Sequence, residues 1–373
     1  MKIGIDARLW NESGVGRYIR NLVFQLIKLD KKNEYVLFVQ EKEVSSIKYQ
    51  VSSASNRWRI VPVNIWWHTI AEQVLFFLIL NKENLDLMHF PYFSVPILYN
   101  KPFIVTIHDL ILHHFPTGEA STLPLPIYSI KLLGYRNIIH LAAKRAKRII
   151  TVSHATENEL INALHVSPKK ISVIYEGIEQ TLLQKGKLKQ SIHDPYFLYV
   201  GNAYPHKNLL RLIKSFSLLK EHLLPTKLYL VGGEDYFYRR LKLEVSKMGL
   251  TDMVIFFGKA TDEELAFLYK NAKALIVPSL MEGFGLPLLE AMANNCLVLA
   301  SDIPAHREIA AEAAIYFDPA NATDLAEKIK SINLKKWQLF EDNRKRGINR
   351  TKLFSWEKMA KETLHIYESS ISI

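Results

Sequence analysis

Two glutamates, Glu282 and Glu290, stand eight positions apart on either side of a glycine-rich turn. The residues of the turn are Gly283, Phe284, Gly285 and Leu286. The apolar run 274–277 before the turn predicts a buried strand, and Pro287 after it suits the first position of a helix. Such a helix start attracts phosphate through its free N–H groups and positive dipole end. Because carboxylates aimed at phosphate would repel it, we expect Glu282 and Glu290, the latter in the first helical turn, to accept hydrogen bonds from a sugar and a ribose. The pattern therefore predicts a nucleotide-sugar pocket.

This motif resembles the donor site of the retaining glycosyltransferases of family 4, which have the GT-B fold. A Glu-x7-Glu spacing alone occurs in many helices, but the intervening Gly-Phe-Gly-Leu-Pro makes the resemblance specific. It implies that Glu282 holds hydroxyl groups of the transferred sugar, that Glu290 holds the ribose, and that residues 283–286 contact the donor. The alternative is a buried strand and helix whose glutamates are solvated.

A second glycine pair, Gly14 and Gly16, follows the first predicted strand, which ends at Asp6. Without a Cβ, both residues would let the backbone approach a ligand closely. Ile19 stands at the third glycine position of a dinucleotide fingerprint, so the sequence does not indicate a nicotinamide cofactor. In family 4 this loop caps the donor diphosphate, with Ser13 here replacing the first glycine. The alternative is a plain turn between a strand and a helix.

His108 ends another predicted strand, in the segment Thr106-Ile-His-Asp109, where ligands bind in open α/β sheets. The resemblance makes it the histidine that meets the transferred sugar beside its anomeric carbon, across a cleft from Glu282. A purely structural histidine is the alternative. His113 and His114 follow closely, but no carboxylate accompanies them at metal-ligand spacing, so we expect no metal site.

The segment after the first strand of the second domain contains Asn202 and Lys207. Lys207 resembles the family lysine that holds the departing diphosphate, a task that suits a point charge on a flexible stem. A lysine at a helix start opposes the helix dipole, and this local conflict favours a functional role over a solvated side chain. Asn202 stands where the family often has Arg, and it can still donate a hydrogen bond to phosphate. Gly258 and Lys259 resemble the stretch against which the base stacks.

The composition is that of a globular protein with two domains, since 373 residues exceed one ordinary core and 49% of them are hydrophobic. Cys296 is the one cysteine, so an internal disulfide is excluded and a reducing, cytoplasmic compartment is expected. Met1 leads directly into an apolar strand, which argues against a signal peptide. The net charge of +11 favours polyanionic partners, but no zinc-finger spacing or RNP motif accompanies it, so nucleic acid is not expected.

Predicted strands and helices alternate along the chain, a pattern typical of α/β domains with parallel sheets. The predicted strands are 2–6, 35–40, 59–63, 87–90, 103–107, 148–152, 171–175, 196–200, 227–231, 254–257, 274–277, 297–300 and 314–317. Helices are expected over 15–29, 135–146 and 155–164, the last capped by Ser153. The polar stretch 180–195 predicts a linker between two doubly wound, Rossmann-like domains, 1–185 and 195–354. By resemblance, the first domain is the acceptor side and the second binds the nucleotide-sugar donor. The two domains are then expected to face a central cleft, and a helix at about 355–373 to pack back on the first.

Together these features predict an enzyme that moves a hexose from a nucleotide diphosphate sugar to a saccharide or lipid-linked acceptor, with retention of the anomeric configuration. Fixed cations and helix dipoles would serve the leaving diphosphate, so no metal or cofactor is expected. The segments 86–91, 107–110 and 152–156 together resemble bacterial mannosyltransferases of polysaccharide assembly, which makes GDP-mannose the leading donor ahead of other UDP- or GDP-linked sugars. A sugar-nucleotide epimerase is an alternative on the same fold, whereas a phosphorylase would need a pyridoxal-phosphate lysine environment, for which the sequence has no motif. A non-catalytic nucleotide-sugar or glycan binding protein on the same fold is the remaining alternative.

An anionic membrane surface is a further expected partner. Trp66 and Trp67 lead into the apolar stretch 74–80, and aromatic residues favour the bilayer interface. The basic residues that would meet anionic lipid on the same face are Lys131, Arg136 and Lys144. The stretch is far shorter than the roughly 20 residues that span a bilayer, so a soluble or peripheral protein is expected. A core helix is the alternative for this stretch.

Overall fold

The computed structural model describes residues 1–12, 14–52, 56–119, 123–184, 186–188, 192–223, 225–334 and 337–371. Ser13 and Lys185, which the sequence analysis placed at a loop and a domain boundary, lie outside the described residues. The chain divides into two compact units, one formed by Met1–Gly177 with Ser355–Ile373 and the other by Ile178–Phe354. Each unit contains one parallel β-sheet whose strands are connected by helices.

The first unit is built on a seven-stranded parallel sheet. Its strands are β1 Lys2–Asp6, β2 Glu34–Val39, β3 Trp58–Pro62, β4 Leu87–Phe90, β5 Phe103–Ile107, β6 Arg148–Thr151 and β7 Ile171–Val173. In the order β3-β2-β1-β4-β5-β6-β7, the chain changes direction across the sheet at β1. Strands β4 and β5 are buried throughout, as expected of apolar runs in a parallel sheet covered on both faces. Ligands bind such sheets beyond the carboxyl ends of the strands, near this change of direction.

The second unit contains a six-stranded parallel sheet. Its strands are β8 Tyr196–Val200, β9 Lys227–Val231, β10 Val254–Gly258, β11 Leu275–Val277, β12 Val298–Ser301 and β13 Ala314–Phe317. In the order β10-β9-β8-β11-β12-β13 the change of direction falls at β8, so β8 and β11 are neighbours. The thirteen described strands confirm the predicted α/β fold class, and their ends lie within two residues of the predicted ones.

Helices connect successive strands in both units. In chain order they are α1 Gly14–Leu29, α2 Val44–Ser52, α3 Phe77–Lys82, α4 Ile111–His114, α5 Leu125–Arg145, α6 His154–Leu164, α7 Leu209–Ser217, α8 Lys220–Leu223, α9 Tyr236–Lys247, α10 Asp262–Asn271, α11 Leu286–Ala293, α12 Pro304–Ala310, α13 Ala322–Leu334, α14 Glu341–Thr351 and α15 Trp356–Ile371. The last of them, α15, belongs to the first unit and packs against α1. Ser153 caps α6 as predicted, because its side chain accepts a hydrogen bond from the Thr156 N–H.

The predicted linker begins inside the second unit. Gln180–Leu183 forms a 3-10 turn in which Leu182 is fully buried. Thr181 Oγ1 donates a hydrogen bond to Asp262 Oδ2 at 2.7 Å, so the turn is tied to the start of α10. The polar composition of this stretch predicted a linker, but one apolar side chain and one hydrogen bond attach its first residues to a helix.

The apolar stretch 74–80 is helical and has two different faces. A π-helical turn over Glu72–Phe76 continues directly into α3. Phe76 and Leu80 are fully buried and belong to the core. The apolar side chains that remain about half exposed are Val74, Leu75 and Leu78. Among the residues that the structure describes, no helix is long and apolar enough to cross a bilayer.

Candidate functional site

The candidate donor site of the second unit lies at the carboxyl ends of its strands. The Gly201 N–H, just after β8, donates a hydrogen bond to the carbonyl of Val231 at the end of β9 at 2.9 Å. The Gly232 N–H, just after β9, donates to the carbonyl of Gly258 at the end of β10, also at 2.9 Å. These two bonds hold the three strand ends side by side, so Asn202, Gly258 and Lys259 share one edge of the sheet.

Asn202 is half-buried at this edge, and Lys259 is exposed. The Tyr204 N–H donates to Asn202 Oδ1 at 3.3 Å, and Tyr199 OH donates to the Asn202 carbonyl at 2.6 Å. Because Oδ1 is engaged, the side-chain NH2 group is the end of Asn202 that can donate to a ligand.

Lys207 and Glu282 form an ion pair in this site. Lys207 ends a 3-10 turn after β8, and Glu282 follows β11, the strand beside β8. Lys207 Nζ lies 2.7 Å from Glu282 Oε1 and 2.8 Å from Oε2, and the two side chains are only 19% and 11% exposed. Ser279 Oγ donates a third hydrogen bond, to Oε1 at 2.6 Å. Both residues are predicted from the sequence as donor contacts, but their pairing is not.

The Glu282 carboxylate is ionised at neutral pH. Burial raises its pKa, but the charge of Lys207 and the hydrogen bonds from Lys207 and Ser279 outweigh burial, so the pKa falls to about 2. An ionised carboxylate only accepts hydrogen bonds, which suits the hydroxyl groups of a sugar. An ammonium group has three N–H donors, and two of those on Lys207 point at Glu282. The third can therefore bind a further acceptor.

His306, which the sequence analysis missed, lies next to this pair. It is fully buried in α12, and its Cδ2 lies 3.7 Å from the position that a Cβ would take at Gly285. Nδ1 is 3.0 Å from the Ser301 carbonyl, which assigns the proton to Nδ1. Burial lowers the pKa of His306 to about 4, against the opposing charge of Glu282, so the ring is neutral at pH 7.

Nε2 of His306 is therefore an acceptor, and it has no hydrogen-bond partner among the described residues. Like the other site residues, His306 lies shortly after the carboxyl end of a strand, in this case β12. That position was the one sequence signal that could have identified it.

The glycine-rich turn leads into α11, as the sequence predicts. Gly285 precedes the helix with a φ of +99°, a left-handed backbone conformation that favours glycine. Pro287 occupies the second helical position rather than the predicted first, since α11 begins at Leu286. Gly283 and Phe284 are both buried, and the ring of Phe284 packs edge-on against Phe354 with 5.7 Å between centroids. A ligand at this helix start would meet the backbone of Phe284 rather than its ring.

Glu290 lies in the second turn of α11, so its predicted position in the first turn is wrong by one turn. It is the fifth residue of the helix because the helix starts at Leu286. The side chain is only 4% exposed, and Oε2 accepts a hydrogen bond from Tyr269 OH at 2.8 Å. Tyr269, on α10, thus fixes one oxygen of the carboxylate that we expect to hold the ribose.

In the first unit, Gly14 and Gly16 begin α1. A Cβ at Gly16 would lie 2.5 Å from the carbonyl oxygen of Trp10, so the close approach of α1 to the preceding loop requires glycine there. A Cβ at Gly14 would meet nothing within 4 Å. Gly16 therefore has a packing role, whereas Gly14 stands at an exposed helix start where an anion could approach the first N–H groups.

His108 lies just beyond β5 with its ring orientation fixed by neighbours. Nε2 donates to the Pro91 carbonyl at 3.0 Å, and Nδ1 lies 3.4 Å from Glu176 Oε1. The ring of Tyr18 contacts the imidazole edge-on, with 4.9 Å between ring centroids. Glu176, which follows β7 and is buried, is a carboxylate that was not predicted from the sequence.

A buried series of hydrogen bonds supports the same region. Tyr18 OH is 3.2 Å from Thr106 Oγ1, and His89 Nε2 is 2.8 Å from the same oxygen. His89 Nδ1 is in turn 2.7 Å from Tyr367 OH on α15. The C-terminal helix is thereby connected through His89 and Thr106 to Tyr18, whose ring contacts His108.

The remaining histidines singled out in the sequence, His113 and His114, lie on α4. His114 Nε2 pairs with the carboxylate of Glu159. Over the described part of the chain, no group of three or more His, Cys, Asp or Glu side chains could hold a metal ion.

Two protein-family models match the chain, one in each half. The model described as Glycosyltransferase Family 4 matches residues 13–182, and the model described as Glycosyl transferases group 1 matches residues 180–352. Together they span the Gly14 loop, His108, Lys207 and the two glutamates around the glycine-rich turn.

Two similar proteins are named as O-antigen chain mannosyltransferases. The O-antigen chain mannosyltransferase RfbU of Salmonella typhimurium is 29% identical over 282 residues, which is 76% of this chain and 74% of the relative. The O-antigen chain mannosyltransferase B of Escherichia coli is 25% identical over 377 residues, which is 95% of this chain and 96% of the relative.

Solved structures share the fold. Anabaena HepE, solved in complex with UDP-glucose, matches 99% of this chain and 100% of its own with a TM-score of 0.75 and 16% identity. At that identity the likeness concerns the fold alone. The two parallel sheets and the likeness to HepE give this chain the GT-B fold. The two family models show that the chain belongs to the family 4, group 1 glycosyltransferases.

Proposed function

We propose that this protein is a retaining hexosyltransferase that moves a hexose from a nucleotide diphosphate sugar to a saccharide or lipid-linked acceptor in polysaccharide or lipopolysaccharide biosynthesis. The observation that carries the proposal is the Lys207–Glu282 ion pair, next to the turn that starts α11. A cation suited to a diphosphate and an acceptor suited to sugar hydroxyls are there in direct contact. A nucleotide diphosphate sugar fits this pair, because its diphosphate and its sugar lie on either side of one oxygen atom.

Mannose from GDP-mannose is the proposed donor sugar. The support is the similarity, at 29% and 25% identity, to two relatives named O-antigen chain mannosyltransferases. HepE was solved with UDP-glucose, which supports a nucleotide diphosphate sugar as the donor class and leaves the base to experiment.

In the proposed reaction, the bond between the anomeric carbon and the diphosphate oxygen breaks, and a bond to an acceptor hydroxyl oxygen forms on the same face of the sugar. The acceptor proton passes to the leaving phosphate. The third N–H of Lys207 and the first backbone N–H groups of α11 stabilise the charge that develops on the diphosphate. Because these groups supply positive charge, the proposal includes neither a metal nor a cofactor.

Each remaining site residue is proposed to contact one part of the donor. Glu282 accepts hydrogen bonds from sugar hydroxyls, Glu290 from the ribose, and His108 contacts the transferred sugar. The diphosphate contacts are Gly14, Asn202, Lys207, Gly283, Phe284, Gly285 and Leu286, while Gly16 places the start of α1 through its packing against Trp10. Gly258 and Lys259 line the pocket of the base.

A thermal-shift screen of GDP- and UDP-linked hexoses tests the donor, because a ligand that binds only the native state raises its melting temperature. Slow release of nucleoside diphosphate without acceptor then tests catalysis. We expect GDP-mannose to give the largest shift, and we expect release to be lost in Lys207→Met. Lys242→Met, which removes a lysine that is 40% exposed in the same unit, is the matched control and should keep activity.

Three outcomes would contradict parts of the proposal. Binding without hydrolysis of any donor would favour a non-catalytic nucleotide-sugar binding protein. Loss of turnover on addition of a chelator would contradict a metal-free reaction. An inverted anomeric centre in the product, measured by NMR, would contradict retention.

We also propose that the first unit binds the cytoplasmic face of an anionic membrane reversibly. The exposed apolar side chains that would enter the interface are Val74, Leu75, Leu78, Leu125, Ile130 and Leu133. The Ile97 N–H donates to Gln73 Oε1, and the Ile97 carbonyl accepts from Arg145, so this one loop contacts both the 72–82 helix and the end of α5. The basic residues on α5 are Lys131, Arg136, Lys144 and Arg145. A lipid-linked acceptor would give this surface a purpose.

A further inference from the structure

A polar cavity of about 280 Å³ lies in the first unit beyond the carboxyl ends of β1, β2 and β3. The buried side chains that line it are Arg8, Gln40 and Glu43, and the more exposed ones include Glu12, Lys42 and Trp66. A second cavity of about 330 Å³ shares Gln40, Lys42 and Trp66 with the first, so the two form one groove that passes Trp66. Together they fall within the roughly 300–1,000 Å³ of small-molecule sites. None of these residues has a part in the donor site proposed above.

The floor of this groove is held rigidly. Arg8 is 2% exposed, and its Nε and Nη2 donate to the two carboxylate oxygens of Asp6 at 2.9 and 2.7 Å. Nη2 also donates to Glu72 Oε1 at 2.6 Å. Gln40 Nε2 donates to the carbonyl of Ile65 at 2.9 Å. Since two carboxylates already engage the guanidinium, Arg8 orders the floor and does not act as an anion receptor.

Glu43 is the lining residue whose bonding is incomplete. It is 6% exposed, and its Oε2 is buried without a hydrogen-bond partner among the described residues. Burial raises the pKa of Glu43, against an opposing hydrogen bond from Asn11. A buried carboxylate oxygen without a donor is costly, so this position favours a ligand that brings an O–H or N–H group.

Trp66 supplies an apolar surface at the rim of the same groove. Its side chain is 53% exposed, Lys42 Nζ lies 5.0 Å from its ring centroid, and the ring of Trp67 is 5.1 Å away. These two neighbours hold the indole in place while leaving half of it exposed. A pyranose ring has an apolar C–H face and a hydroxyl edge, which fits an aromatic surface beside a hydrogen-bond acceptor.

The charges around the groove favour a neutral ligand. The side chains of Glu12 and Glu43 face it together with Lys42, while Arg8 is balanced by Asp6 and Glu72. A phosphate or an anionic lipid headgroup would therefore meet more negative than positive charge.

We propose that this groove is a saccharide subsite, in which Glu43 Oε2 accepts a hydrogen bond from a sugar hydroxyl and Trp66 packs against a sugar ring. Its use as the acceptor subsite rests on the proposed transferase function, whereas saccharide binding itself does not. As the acceptor subsite, the groove binds a neutral glycan in the first unit, and this glycan accepts the transferred hexose.

An array of neutral mono- to tetrasaccharides of mannose, glucose, galactose, rhamnose and N-acetylglucosamine, probed with the intact labelled protein, tests the subsite. The best-bound saccharide is then titrated at equilibrium. We expect Glu43→Gln and Trp66→Ala each to weaken its binding roughly tenfold, the scale of one charged hydrogen bond or one aromatic contact. Trp66→Phe should retain most of the affinity. Glu34→Gln, the same change at an exposed position at the opposite end of β2, should leave the affinity unchanged.

Failure of the subsite and failure of the transferase function give different results. Wild-type protein that hydrolyses a donor but binds no saccharide on the array would overturn the subsite alone. Saccharide binding without donor hydrolysis would overturn the transferase function alone. Equal affinity in Trp66→Ala, Glu43→Gln and wild type would also overturn the subsite. So would a Trp66→Ala variant that keeps saccharide binding and loses binding to anionic vesicles, because Trp66 would then be a membrane contact.

Discussion

Lys207 Nζ and the Glu282 carboxylate make a two-point ion pair, with N–O distances of 2.7 and 2.8 Å, across 75 positions of the chain. Both side chains are more than four-fifths buried, so each depends on the other for the stabilisation of its charge. The pair therefore has a structural role in addition to the proposed contacts with the donor.

A double-mutant cycle separates these roles. Lys207→Met should lower the free energy of unfolding by up to roughly 3 kcal/mol, the low end for a buried pair, because it leaves Glu282 charged without its cation. Adding Glu282→Gln should restore most of that loss, since no unpaired charge remains. Donor hydrolysis should stay absent in the double variant. Denaturant unfolding and nucleoside diphosphate release measure the two effects, and strictly additive stability losses would refute the coupling.

Glu290 offers a test of the ribose contact. Glu290→Gln keeps an oxygen that can accept from Tyr269 OH while it removes the charge, so the protein should stay folded. We expect calorimetric affinity for GDP to fall about tenfold to a hundredfold, the loss of one charged hydrogen bond of roughly 1.5–3 kcal/mol. Tyr269→Phe should weaken binding less, because it removes one hydrogen bond to the carboxylate and keeps the carboxylate itself. Unchanged GDP affinity in Glu290→Gln would rule out the ribose role.

Three buried histidines should make the protein sensitive to mild acid. Burial lowers the pKa of His89 to about 3 and those of His206 and His306 to about 4, whereas the unfolded chain has values near 6.5. Below about pH 6.5 the unfolded state therefore binds protons that the folded state does not. Stability should fall from pH 6.5 down to about 4, by about 1.4 kcal/mol per pH unit for each histidine.

Denaturant titrations at pH 7, 6 and 5 measure this slope. His306→Leu should reduce it by about 1.4 kcal/mol per pH unit, the contribution of one such histidine. His193→Leu, at an exposed position, is the matched control and should leave the slope as in the wild type. Identical slopes in all three proteins would show that His306 does not contribute.

The sequence predicts the strands well because each is a short apolar run between turn residues, and such runs have few other ways to be buried. The start of α5 was not predictable in the same way. The helix begins at Leu125, ten positions before the predicted Tyr135, and its first turns carry the exposed residues Leu125, Ile130 and Leu133. An exposed apolar face removes the polar–apolar alternation from which a helix is recognised.

Within the site, the sequence identifies residues that follow a strand or a glycine-rich turn, but it does not identify their partners. Tyr269 bonds Glu290 across 21 positions, and Lys207 bonds Glu282 across 75. Such contacts depend on which strands are neighbours in the sheet, as β8 and β11 are. The local pattern of apolar and polar residues does not contain this strand order. His306 was missed for the same reason, since only the fold places it beside Gly285.

Tyr367→Phe should destabilise the first unit. The hydroxyl of Tyr367 is 2.7 Å from His89 Nδ1, and both residues are fully buried. Its removal leaves a buried ring nitrogen unpaired, which costs about 1–3 kcal/mol. Tyr236→Phe, at a residue that is 44% exposed, is the control and should change the free energy of unfolding by less than roughly 0.5 kcal/mol. Equal stability of both variants would mean that His89 finds another partner.

Binding to anionic vesicles tests the proposed membrane surface. We expect the protein to sediment with vesicles that contain anionic lipid at low salt and to remain in solution with neutral vesicles, because each basic residue near an anionic surface contributes about 1 kcal/mol. High salt should release it, since screening shortens the range of that attraction. Ile130→Glu with Leu133→Glu should weaken binding at least tenfold, by placing two negative charges among exposed apolar side chains of α5. Leu243→Glu, at a side chain that is 62% exposed in the second unit, should bind like the wild type. If the protein stays in the supernatant with both kinds of vesicle at low salt, the exposed apolar faces of α3 and α5 have another purpose.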